Sequence, residues 1–136
     1  MITANVEQLI DVTQDPQAKQ RLLGVPAEVL EQHGAVSRST VLAMALGARQ
    51  ALARDFPLDQ LVGLAVSGIA GPGGGTPAKP VGTVWIGLSA SDGAWAWRFC
   101  WSGDRLENKI SSARAVLELL CGYLQGSLPP ESNEGA

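Results

Sequence analysis

The chain has 136 residues, the size of one domain, with 46% hydrophobic residues and ten Lys and Arg against thirteen Asp and Glu, for a net charge of -3. That balance offers no basic footprint for nucleic acid or an anionic membrane, and no apolar run reaches the roughly 18 residues a membrane span needs. The opening MITANVEQ lacks the basic-then-apolar layout of a signal peptide, so a cytoplasmic protein is expected.

Leu9 to Thr13 has the β-branched character of a short strand. Pro16 opens a helical stretch, Gln17 to Leu23, which Gly24 closes, and Ala27 to Gln32 reads as a further helical turn or two ending at His33-Gly34. Ser37 or Ser39 can cap the next helix, whose Val41, Leu42, Ala45, Ala48 and Leu52 recur at helical spacing on one face. Leu61 to Val66 is a continuous apolar run bounded by turn signals, a buried strand. Val81 to Ala90 and Ala94 to Trp101 read as two more strands joined by a hairpin at Asp92-Gly93. In the second of these, Trp95, Trp97, Phe99 and Trp101 share one face, predicting a sheet surface packed under a helix. From Arg105 onward Leu106, Ile110, Ala113, Leu117, Leu120 and Leu124 are spaced 4, 3, 4, 3 and 4, a stripe expected to cover the sheet from one long helix. The polar, Pro-containing segment 126–136 is expected to be a disordered tail after a single domain over 1–125.

This order of elements predicts an α/β domain in layers, and the tight hairpin requires antiparallel pairing, so the sheet is expected to be mixed. Cys100 and Cys121 sit in no CxxC or His-paired pattern and are read as buried thiols.

Chemistry concentrates in one place. Five glycines fall in the eight residues from Gly68 to Gly75, and such a loop lets backbone N–H groups approach an anion or a developing oxyanion closely. The candidate binding residues are Ser67, Gly68, Ile69, Ala70, Gly71, Gly73, Gly74, Gly75 and Thr76, with Lys79 just beyond as a phosphate contact. The loop is not a Walker A motif, because Gly74 stands where Lys is required. Nor is it a dinucleotide fingerprint, because Thr76 replaces the third glycine and a strand follows rather than a helix. His33 is the only histidine and suits a helix C-terminus. No metal-ligand spacing and no paired carboxylates occur, and no cofactor is implied.

The runs AKQRLLGVP (Ala18 to Pro26), HGAVS (His33 to Ser37), SGIAGPGGGTPAKPVGTVW (Ser67 to Trp85) and SGDR (Ser102 to Arg105) resemble successive signature blocks of the CinA C-terminal domain family. The resemblance runs from about Gln17 to Leu124. It implies a three-layer α/β/α domain and hydrolysis of the carboxamide of nicotinamide mononucleotide to the acid and ammonia. The family's nucleophile is a serine in a Ser-Cys-Thr-Gly-Gly motif, and its base is a lysine in a Tyr-Ser-Asn-x-x-Lys segment. A desolvated, neutral lysine can take the proton from an attacking serine hydroxyl. By that resemblance Lys19 is the base, although Gln14, Asp15 and Pro16 stand where Tyr, Ser and Asn would be. Ser-Cys-Thr-Gly-Gly occurs nowhere in the sequence, and the family's opening strand, nucleophile and following helix are expected to be lacking.

Three readings of function follow. One is a family member impaired in catalysis, and the second an active amidase whose nucleophile comes from an upstream segment or a partner chain. The third is a non-catalytic nucleotide-binding or regulatory module. Weak binding of nicotinamide mononucleotide is expected. Self-association into a homo-oligomer is also expected, because an uncovered sheet edge or apolar face promotes it.

Overall fold

The structure, a computed structural model, describes residues 24–69 and 71–132. Lys19, the strand expected at Leu9 to Thr13, the helix expected at Gln17 to Leu23, and Ala70 lie outside the described residues.

Helix α1 (Ala27–His33) starts after Pro26 and stops at Gly34, whose φ of 78° suits glycine and whose N–H donates to the Leu30 carbonyl. Helix α2 (Arg38–Ala51) is capped by Ser37, which accepts from the Thr40 N–H at 3.1 Å. Strand β1 (Gly63–Gly68), strand β2 (Thr83–Ala90) and strand β3 (Gly93–Cys100) form one sheet in the order β1-β2-β3, and helix α3 (Arg105–Gln125) follows. Both pairings are antiparallel, so the mixed part of the expected sheet has no counterpart among the described residues. Ala90 pairs with Gly93, which makes Ser91 and Asp92 the turn, one residue earlier than expected. Gly93 belongs to the strand through that pairing, and the Trp95 ring lies over it, where a Cβ would come within 2.7 Å of the ring.

The α/β layering is as the sequence predicts. Helix α2 covers one face, where Val41, Met44 and Ala45 pack on Ala65, Trp85 and Ala96. It lies very close to the sheet at two glycines. A Cβ on Gly87 would stand 2.6 Å from the Val41 carbonyl oxygen, and one on Gly63 would collide with that of Ala45. The buried stripe is Val41, Met44 and Ala45 flanked by Thr40 and Arg49, and Leu52, expected on it, is exposed at the helix end.

The other face carries Val84, Ile86, Leu88, Ala90 and Trp97 under Ala115 and Leu119 of α3. Trp95, Trp97, Phe99 and Trp101 do share this face, with the Phe99 and Trp101 rings stacked 5.0 Å apart. Helix α3, however, presents a different side from the one expected. Asn108, Ser112, Ala115 and Leu119 are turned inward, while Leu106, Ile110, Leu117 and Leu124 are 52–71% exposed. The aromatic rings explain this, since they already fill the space above β3 and need small or polar neighbours. The Trp101 indole donates to Ser112 Oγ at 2.9 Å, and that hydroxyl donates to the Asn108 carbonyl.

Two further expectations are corrected. Cys100 and Cys121 are exposed, one closing β3 and the other on the outer side of α3. The segment expected to be a disordered tail is held against β3 over its described part. Leu128 packs on the core, Pro129 accepts from the Trp97 indole at 3.1 Å, and Ser132 N–H donates to the Ala96 carbonyl at 3.1 Å. The polar composition concealed that the outer edge of β3 has N–H and C=O groups to satisfy.

Candidate functional site

The glycine loop begins where β1 ends. Ser67, 3% exposed, donates from Oγ to the Ala35 carbonyl at 2.7 Å. Gly68 lies against Val84, where a Cβ would meet the valine side chain at 2.6 Å. The base of the loop is closed by Ile69 N–H donating to the Thr83 carbonyl at 2.9 Å and Gly82 N–H donating to that of Ile69 at 2.6 Å.

Gly71 and Gly74 have φ of 97° and 92°, a region side chains rarely enter, which is one physical reason for glycine here. Gly75 is pressed against the backbone of Val81, 2.6 Å from where its Cβ would stand. Thr76 closes a small turn with Lys79: its N–H donates to the Lys79 carbonyl, and its Oγ1 accepts from the Lys79 N–H at 3.0 Å. Gly71 is buried, whereas Pro72 through Ala78 is exposed. The result is a surface backbone loop fixed at both ends.

Three cationic side chains border it. Lys79 Nζ donates to the His33 carbonyl at 2.7 Å, at the end of α1, where His33 stands as expected. Arg105, in the first turn of α3, donates to the Gly71 carbonyl at 3.1 Å. Arg98 reaches the Ala78 carbonyl at 3.5 Å. Ser67 and Lys79 therefore tie consecutive parts of the His33 to Ala35 connection to the loop, which joins two of the sequence blocks in space.

The structure thus brings Ser67, Gly68, Ile69, Gly71, Gly73, Gly74, Gly75, Thr76 and Lys79 into one segment. The Ser67 hydroxyl is buried and donates to a carbonyl, the geometry of a clamp rather than of an exposed hydroxyl activated by a base. Arg105 was not singled out from the sequence, although its position in the SGDR block was the available signal. Among the described residues no group of His, Cys, Asp or Glu could hold a metal ion, and no helix is long and apolar enough to cross a membrane.

An α/β sandwich with a glycine loop leaving the first strand of an antiparallel sheet defines the class of domain. The CinA C-terminal domain model matches residues 11–124, and the chain belongs to that family. It is 46% identical over 118 residues to the nicotinamide-nucleotide amidohydrolase PncC of Shigella flexneri, covering 85% of this chain and 68% of that protein. A putative competence-damage inducible protein of Caldicellulosiruptor bescii is 46% identical over 104 residues, 76% of this chain but 24% of the relative. The chain thus spans about a quarter of the length of that relative and of the CinA-like protein of Geotalea uraniireducens, where the share is also 24%.

Solved structures agree. The competence/damage inducible protein CihA of Agrobacterium tumefaciens superposes with a TM-score of 0.70 at 39% identity, over 79% of this chain and 63% of that one. The competence damage-inducible protein A of Klebsiella pneumoniae gives 0.71 at 35% identity, over 82% and 65%.

Proposed function

We propose that this chain is the loop-bearing part of a nicotinamide-nucleotide amidohydrolase domain, and that its 136 residues by themselves do not turn over the amide. The observation that supports this is a pairing: close identity to the Shigella flexneri amidohydrolase on one side, and the lack of any Ser-Cys-Thr-Gly-Gly in the sequence on the other. Without the hydroxyl that attacks the carboxamide, the retained Lys19 has no proton to accept, and losing one member of such a unit costs several powers of ten in rate. The loop and Lys79 would then bind nicotinamide mononucleotide weakly through its phosphate. In the cell the activity belongs to cytoplasmic salvage of pyridine nucleotides.

A second reading is favoured by the coverage itself. About a third of the Shigella flexneri relative lies outside the matched length, room enough for a nucleophile-bearing segment supplied by a longer product of the gene or by a partner chain. Ammonia release from nicotinamide mononucleotide separates the two. The chain alone is expected to release none above background. Turnover within tenfold of the Shigella flexneri enzyme, abolished by Lys19→Ala, would overturn the inactive reading.

A further inference from the structure

Trp97 is 3% exposed, and its indole N–H donates at 3.1 Å to the carbonyl of Pro129, in the irregular segment that follows α3. A buried indole needs such an acceptor. Further contacts of the same segment lie in line with this one. Leu128 packs on the apolar face that also holds Phe99 and Trp101. The Glu131 carboxylate accepts from the Ala96 N–H at 3.0 Å and from the Arg38 guanidinium at 2.9 Å. Ser132 N–H donates to the Ala96 carbonyl at 3.1 Å, and its Oγ accepts from the Arg98 N–H at 3.0 Å. An aromatic donor, an apolar seat, a cation and the backbone groups of a strand edge are together the means by which proteins hold short extended peptides.

The segment has the make-up of a peptide ligand. Pro129 and Pro130 hold φ near -65°, and a proline biases the residue before it, here Leu128, toward extended backbone, so little conformational freedom is lost on docking. Gly126, at φ 72°, ends α3 and lets the chain leave the helix axis. Pro129, Pro130 and Glu131 stay exposed even in place. Beside Pro129 lies a cavity of about 210 Å³, lined by Phe99, Ala115, Leu119 and Gly122 among others. The groove therefore has room for a larger apolar side chain than the resident segment puts there.

We propose that the outer edge of β3, with Trp97 and Arg38, is a peptide-binding groove. In this structure the chain's own residues 128–132 occupy it, and in trans it takes an extended segment of another protein with the pattern apolar, Pro, Pro, acidic, Ser. Charge sets the acidic position, because the resident carboxylate meets both a guanidinium and a strand N–H. The chain's own segment is then a tethered competitor. Its effective concentration is on the order of millimolar, so a partner enters where it fits better or where the resident segment is weakened.

The probe is the synthetic peptide Ser-Leu-Pro-Pro-Glu-Ser, blocked at both ends and titrated into the isotope-labelled full chain while the Trp97 indole and the Ala96 and Arg98 amides are followed. The Glu131→Ala chain is expected to bind it about tenfold or more tightly than the unaltered chain, because its resident segment has lost two bonds. Ser132→Ala should move affinity in the same direction. A peptide with Ala in place of Glu should bind the Glu131→Ala chain more weakly, and adding Arg38→Ala should bring the two peptides close to equal. Leu in place of the first Pro of the peptide should tighten binding by filling the cavity. Equal affinity of the unaltered and both altered chains, shifts confined to other amides, or a preference for the Glu peptide that survives Arg38→Ala would overturn the proposal.

Discussion

Arg49, near the end of α2 and 7% exposed, donates from Nη1 to the carbonyl of Ala90, at the end of β2, at 3.0 Å. The same guanidinium donates to the carbonyls of Leu61 and Leu58 at 2.9 and 2.7 Å and to Ser89 Oγ at 3.3 Å. Its planar fork thus pins the chain before β1, the end of β2 and α2 together through three carbonyls and a hydroxyl. Arg49→Ala is expected to leave the buried Ala90 carbonyl and the part-buried Leu58 and Leu61 carbonyls without this partner and to lower stability by about 3 kcal/mol. Arg49→Lys should recover only part, because an ammonium cannot span the same acceptors. Urea unfolding of the three proteins measures both.

The two close approaches of α2 to the sheet give a second test. Gly87→Ala would push a methyl into the Val41 carbonyl and should cost about 1–3 kcal/mol through overpacking. Gly73→Ala, in the exposed loop with nothing within 4 Å of the added carbon, should be close to neutral. Equal thermal midpoints for the two variants would show that α2 does not sit where it is described.

Two hydrogen bonds at the surface each add a pH-dependent contribution, one on the acid side and one on the alkaline side. Asp104 caps α3, and the Glu107 backbone N–H, followed by the Glu107 side chain, holds its carboxyl below the ordinary carboxylate value. A depressed native value means that the cap's contribution is complete above the unfolded value of about 3.9 and is lost as pH falls through the lower native one. Asp104→Asn keeps a capping oxygen and should flatten this acid limb. Tyr123 donates to Asp92 Oδ1 at 2.7 Å, and that bond raises its phenol value. Its contribution is complete below about pH 10 and is lost as pH rises through the raised native value. Tyr123→Phe should remove that alkaline limb in urea titrations across pH.

Ligand binding at the loop can be followed without catalysis. Nicotinamide mononucleotide titrated into labelled protein should shift the amides of Gly71, Gly73, Gly74, Gly75 and Thr76, with a Kd on the order of millimolar. Lys79→Ala should weaken this further and also release the His33 carbonyl it now holds. Shifts confined elsewhere would show that the loop is scaffold only.

Much of this fold was legible in the sequence, for reasons visible in individual residues. Period-two alternation placed the aromatic side chains of β3 on one face, and the Ser37 cap announced α2. The glycine loop was unmistakable from composition. The inward side of α3 was not, because periodicity locates an apolar face but does not say what covers it. The spacing of Leu106 and Leu117 reads as core, yet both are exposed, and the Trp101 indole is met by Ser112 instead. Arg49 was equally hidden, since three of its four acceptors are backbone carbonyls that leave no trace in side-chain patterns. The ties of Ser67 to Ala35 and of Lys79 to His33 join positions 32 and 46 residues apart, beyond the reach of local reasoning.

The last described residues have a bearing on how slowly parts of β3 trade protons with solvent. Glu131 accepts from the Ala96 N–H at 3.0 Å and pairs with Arg38 at 2.9 Å, and Ser132 Oγ accepts from the Arg98 N–H at 3.0 Å. Amides on an outer strand ordinarily exchange early. Here the exchange clock of Ala96 and Arg98 is set by two side chains more than thirty residues further along, each held to the edge by a few bonds at its surface. Trimming the chain with a carboxypeptidase past Glu131 would therefore quicken deuterium uptake at these alternate positions of β3 while leaving β2 untouched. A tag fused closely behind Ser132 would be read out at the same two amides.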